Sequence, residues 1–136
     1  MAVRLNAAAD YLYTTTGAPT TADHTAMLWF RINTDRNATG VICLVANAGG
    51  TEYLSLYLAS DGTSLRSNAN GNTAAVQALT AGTWYHLAVV RSGTSNLIYV
   101  NGALAGTHGP VSGADFTPAS MYLGSDTANY VDGDFF

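Results

Sequence analysis

Apolar and polar positions along this chain alternate in short segments broken by glycine and asparagine turns. No stretch of about twelve residues holds a helical apolar period without a breaker. Successive side chains of a strand point to opposite faces, so a period of two predicts strands. In TEYLSLYLA (51–59) it sends Leu54, Leu56 and Leu58 one way and Tyr53, Ser55 and Tyr57 the other. Two segments, TAMLWFRI (25–32) and GVICLVA (40–46), are apolar enough to predict central strands covered on both faces. Residues 64–68 and 73–78 flank Asn70-Gly71, a dipeptide suited to a tight hairpin turn, and Arg66, Asn68 and Asn70 then share one face.

The longest predicted strand, TWYHLAVVRS (83–92), turns through Gly93-Thr94-Ser95 into NLIYVN (96–101). Asn101-Gly102 turns the chain again into 103–106, and a loop over 108–118 leads to SMYLG (120–124). With no helix, the expected fold is all-β, two stacked antiparallel sheets in a jelly-roll sandwich. Trp29 and Trp84 are large enough to fill the space between the sheets.

The length of 136 residues suits one domain over 1–136 with a single core, and 48% hydrophobic with 10% charged residues argues against disorder. The formal charge is -4; the five cations are all arginines, Arg4, Arg31, Arg36, Arg66 and Arg91, scattered along the chain. Without a basic stripe, neither nucleic acid nor an anionic membrane is an expected partner. No apolar run reaches the roughly 18 residues of a membrane span, and the first residues lack the pattern of a signal peptide. Asn37-Ala38-Thr39 is a glycosylation sequon of a kind expected by chance in a chain rich in Asn and Thr.

Catalysis is not expected. Acid–base hydrolysis of a glycoside needs paired carboxylates on a shared face, yet Glu52 is the one glutamate and no strand alternates two acids. No Gly-x-Ser-x-Gly elbow and no Cys/His spacing for zinc occurs. His86 lies mid-strand and reads as structural, while His24 and His108 lie near strand ends and read as solvated. Cys43, in an apolar run, reads as a buried small hydrophobe.

The stretch TWYHLAVVRSGTSNLIYVNGALAG (83–106) resembles the central signature of laminin G-like domains of the concanavalin A-like superfamily. In that signature a tryptophan-led strand with His is followed by a short turn and a strand ending Tyr-Val-Asn-Gly. Residues 5–12, 26–32, 53–58 and 120–124 fall where strands of the family are expected. The resemblance implies the sandwich and a noncatalytic, lectin-like or adhesive module on an extracellular or particle surface.

Domains of the family continue past a glycine such as Gly133 into a closing strand beside the N-terminal one. Here only Asp134-Phe135-Phe136 follow, so the resemblance implies an incomplete edge near residues 130–136. A shortened chain, a rearranged ending and a strand from a neighbouring chain all fit, the last making a protein partner or self-association an expectation. Relatives often bind calcium through loop acids, and Asp126, Asn129, Asp132 and Asp134 offer such oxygens, although Ser-Asp and Asp-Gly are also ordinary turn pairs.

The expected ligand face carries Tyr53, Ser55 and Tyr57 beside Arg66, Asn68 and Asn70. Aromatic faces stack on the apolar faces of sugars, and amide and guanidinium groups bond hydroxyls. The first functional expectation is recognition of carbohydrate or glycoprotein. The alternative is a structural assembly or decoration protein, for example on a virus particle or cell surface, acting through protein contacts.

Overall fold

The computed structural model describes residues 3–5, 12–14, 23–33, 39–47, 52–69, 72–108, 118–124 and 132–136. Its strands are β1 (Val3–Leu5), β2 (Leu12–Thr14), β3 (His24–Ile32), β4 (Gly40–Asn47), β5 (Glu52–Leu58) and β6 (Ser64–Ala69), then β7 (Asn72–Ala78), β8 (Trp84–Ser92), β9 (Ser95–Val100), β10 (Ala103–His108), β11 (Pro118–Leu123) and β12 (Gly133–Phe135). They form two antiparallel six-stranded sheets, ordered β1-β12-β3-β8-β9-β10 and β2-β11-β4-β5-β6-β7. These are the two stacked sheets expected.

The core follows the period of two. Phe30 and Ile32 from β3, Leu87 and Val89 from β8, and Ile98 and Val100 from β9 meet Leu56, Leu58 and Leu65 of the facing sheet. Burying each such side chain contributes about 1.5–3 kcal/mol. Asn101, with φ of 52°, and Gly102 hold the β9–β10 turn, where Asn101 Oδ1 also accepts the His86 backbone N–H at 2.9 Å.

Three expectations about side chains are corrected. β3 is covered on one face only: Met27 is 63% and Trp29 44% exposed on the other. Neither tryptophan lies between the sheets. Directly paired residues of antiparallel strands share a face, so Trp29 opposite His86, and Arg31 opposite Trp84, line the outer surface of the first sheet. Trp29 and His86 rings lie 5.2 Å apart there, and the Arg31 guanidinium sits 5.3 Å from the Trp84 ring. Phe30 and Phe135, with rings 5.2 Å apart, fill the interior space assigned to the tryptophans.

His108, read as solvated, is buried. Register places Arg91, Asn96 and His108 opposite one another across β8, β9 and β10, on the inward face. His108 Nδ1 lies 3.1 Å from Ser67 Oγ of the other sheet, and burial lowers the imidazole pKa.

The closing edge is also corrected. The last residues form β12, which lies between β1 and β3, with Val3 opposite Phe135 and Gly133 opposite Ile32. Phe136 extends it by exchanging two backbone hydrogen bonds with Trp29, at 2.8 and 2.9 Å. The N-terminal strand is therefore paired. What stays open among the described residues is the Thr25-to-Leu28 half of the β3 edge. A groove of about 390 Å³ runs there, lined by Ala26, Met27 and Leu28 above and Cys43, Met121 and Leu123 below.

Candidate functional site

The outer face of the second sheet brings together residues that strand alternation placed on one side. The β5–β6 hairpin sets the pairing. Asp61 accepts backbone N–H bonds from Thr63 at 2.9 Å and Ser64 at 2.7 Å, and also the Ser64 hydroxyl proton. The Ser64 hydroxyl, then the two N–H groups and the neighbouring Arg66 charge, hold its carboxyl at about 2. The turn stays anionic and bonded at any physiological pH.

From that turn the ladder runs in register, with Leu58 opposite Leu65, Tyr57 opposite Arg66 and Ser55 opposite Asn68. Four of the six expected ligand residues are thus neighbours on adjacent strands. A bulge between Leu65 and Arg66 in the β6–β7 pairing tilts Arg66 locally. Tyr53 lies on β5 with its side chain outside those described, and Asn70 lies outside the described residues.

Burial divides these four into support and surface. Ser55 is 1% exposed and lies beneath the surface, whereas Tyr57, Arg66 and Asn68 remain half-buried. Val41 of β4 stands opposite Tyr57, and both Tyr57 and Tyr122 pack on it, so the Tyr57 ring is held in place. Arg66 Nε is buried and has no hydrogen-bond partner, a donor that an outside acceptor reaches only when the half-buried side chain turns outward. A half-buried ring beside an unused guanidinium donor can stack on an apolar ligand face while bonding its hydroxyl or carboxylate.

Val41 and Tyr122 were not among the expected site residues. The signal for Tyr122 was present in SMYLG, where Met121 and Leu123 line the groove and leave Tyr122 on the opposite face. Val41 is hidden in sequence by a bulge between it and Cys43, which breaks the simple alternation of β4.

Of the four residues expected around calcium, Asp126 and Asn129 lie outside the described residues. The other two are engaged. Asp132 Oδ1 lies 3.5 Å from Arg4, while Asp134 pairs with Arg31 and accepts the Asn33 amide at 3.1 Å. Burial alone would raise the Asp134 pKa, but the Asn33 and Arg31 bonds and the Arg31 and Arg4 charges outweigh it and hold it low. Among the described residues no three His, Cys, Asp or Glu side chains gather as a metal cluster would require.

The other two acids with described side chains also serve the fold, since Asp23 accepts the Gly93 N–H at 2.7 Å and Asp61 caps its turn. The buried Cys43 thiol is pushed up to about 12 by desolvation, which keeps it neutral and unreactive.

Comparison with known proteins agrees with this architecture. No curated protein sequence matches the chain. Among solved structures, Trypanosoma rangeli sialidase superposes with a TM-score of 0.70 at 16% identity, over 85% of this chain and 20% of that one. A Bacteroides ovatus protein named as a candidate carbohydrate-binding protein superposes equally well at 15% identity, over 98% of this chain and 40% of that one. An alginate lyase of polysaccharide lyase family 7 gives 0.56 at 19% identity, over 93% and 58%. The chain spans about a fifth of the sialidase and two-fifths of the Bacteroides protein, and the likeness is one of fold. A laminin G family model, described as concanavalin A-like lectin/glucanases superfamily, matches residues 6–136. The chain therefore belongs to the laminin G-like family of the concanavalin A-like lectin/glucanases superfamily.

Proposed function

We propose that this domain is a noncatalytic module that binds carbohydrate, free or on a glycoprotein, across the outer face of its second sheet. The observation that carries the reading is the direct pairing of Tyr57 with Arg66, whose buried Nε lacks an intramolecular partner. A buried unpaired donor is costly, and a ligand oxygen would satisfy it once the half-buried Arg66 side chain turns outward to meet it. The superfamily includes lectins by its description, and one structural neighbour is a candidate carbohydrate-binding protein. Each acid with a described side chain is engaged in a turn, a loop contact or an arginine pair, so among the described side chains no carboxylate pair stands free for glycoside hydrolysis.

Screening on a glycan array with and without added calcium tests the proposal, the calcium arm bearing on Asp126 and Asn129. Binding that Arg66→Ala weakens while the domain stays folded supports it. Silence on the array in both conditions contradicts it.

A further inference from the structure

The outer face of the first sheet carries more exposed apolar surface than a solvated sheet face needs. Among the described residues five large hydrophobics are exposed: Met27 at 63%, Trp29 at 44%, Leu104 at 56%, Phe136 at 69% and Leu12 at 45%. The first four lie on this one face. Register arranges them in adjoining cross-strand rows: Met27, Ala88, Tyr99 and Leu104 stand opposite one another from β3 to β10, and Phe136, Trp29 and His86 form the row beside them. A third row, Thr25, Val90, Leu97 and Thr107, is uncharged as well. Among the described residues charge lies at the two ends of this face: Arg31 pairs with Asp134 and Arg4 with Asp132 at one, and Asp23, bonded to the Gly93 N–H, stands beyond the Thr25 row at the other. This uncharged outer surface accounts for the apolar run of β3 that the core leaves unexplained.

We propose that this face is the self-association surface of the domain, packing on the same face of a second copy. Neutrality favours a second copy. In a two-fold pair each patch meets itself, and the three central rows of this one bring no acid or arginine side chains together. Size agrees. Four strands about 4.8 Å apart, with Phe136 extending one row, and three rows about 6.8 Å apart give a face on the order of 20 by 20 Å, and side-chain relief brings its accessible area toward the ~600 Å² per partner at which standard interfaces begin.

Composition agrees too, since Trp, Tyr, Met and Arg are enriched at protein interfaces, and Lys, Glu and Asp depleted. Met27 and Leu104 offer no hydrogen bond to a sugar, and Arg4 and Arg31 at the rim are each paired with an acid, so among the described residues this face offers anionic lipid no unpaired cation. The proposal is independent of the glycan face, which lies on the other sheet. Association here would direct the two Tyr57 faces away from each other, producing a bivalent binder.

Sedimentation equilibrium over micromolar to sub-millimolar concentration tests this. The wild-type domain and the control Leu12→Lys are expected to approach twice the monomer mass as concentration rises. The double variant Met27→Lys/Leu104→Lys should shift the association midpoint upward by at least about tenfold while keeping its thermal midpoint, because both side chains are exposed in the monomer. As a readout needing no variant, quenching of wild-type tryptophan fluorescence by acrylamide should fall with concentration as Trp29 is covered. A wild-type monomer at every concentration overturns the proposal. So does association that the double variant leaves unchanged, or a Trp29 response seen only on adding a polysaccharide or a different protein.

Discussion

His108 Nδ1 of β10 lies 3.1 Å from Ser67 Oγ of β6, a hydrogen bond that joins the two sheets through the interior. Burial disfavours the charged imidazole and holds its pKa below the ordinary histidine value of about 6.5. A group whose folded pKa is depressed in this way binds fewer protons when native than when unfolded, so stability rises with pH across that interval. The thermal midpoint is expected to fall as pH drops below about 6.5 toward the folded pKa. His108→Gln should lower the neutral-pH midpoint and flatten that acid slope. An unchanged slope in the variant would show that another group is responsible.

The Arg31–Asp134 pair acts at lower pH. Asp134 is an acid with a depressed pKa, so its contribution is present above the unfolded value of about 3.9 and disappears as pH falls through the folded one. With Arg31 partly exposed, the pair is screened, and Asp134→Asn should cost about 1 kcal/mol at neutral pH and little at pH 2. Denaturant unfolding at both pH values measures the difference.

Gly133 has no room for a side chain. A Cβ there would stand 2.9 Å from the Arg31 carbonyl oxygen and closer still to the Phe30 ring. Because that ring is part of the core, Gly133→Ala should destabilise by about 1–3 kcal/mol in urea unfolding. The exposed turn glycine Gly82 meets nothing within 4 Å, so the cost of Gly82→Ala should come from its φ of +80° alone.

Cys43 should resist a thiol reagent such as a disulfide-exchange dye in the native state and react fully once the domain is unfolded. Both its burial and a pKa near 12 withhold the thiolate. Rapid native reaction would mean that the residues lining the groove part far enough to expose the thiol.

Much of the fold was legible because alternation and turn chemistry are local. TEYLSLYLA sorts its leucines inward, with Leu56 and Leu58 buried, and Asn101-Gly102 makes its turn. What alternation cannot say is which face of an apolar strand meets the other sheet. Trp29 and Phe30 are adjacent, and only the pairing of β3 with β12 and β8 puts Phe30 inside and Trp29 outside. His108 was misread for the same reason: its burial comes from Ser67, 41 residues away, on the facing sheet.

The arrangement of the proposed ligand face was legible in part. Tyr57 and Arg66 were recognised as sharing a face, but their direct opposition depends on the Asp61 turn, and Val41 is concealed by a bulge. The calcium reading relied on sequence proximity of acids, which takes no account of Arg4 and Arg31 arriving from β1 and β3 to pair with Asp132 and Asp134.

Titrating a glycan identified on an array against the wild-type domain, Tyr57→Ala and Arg66→Ala by calorimetry tests the central claim most directly. Each variant is expected to lose about 1–3 kcal/mol of binding, roughly tenfold or more in Kd, while remaining folded at the titration temperature. Undiminished affinity in both folded variants would contradict recognition by the outer face of the second sheet.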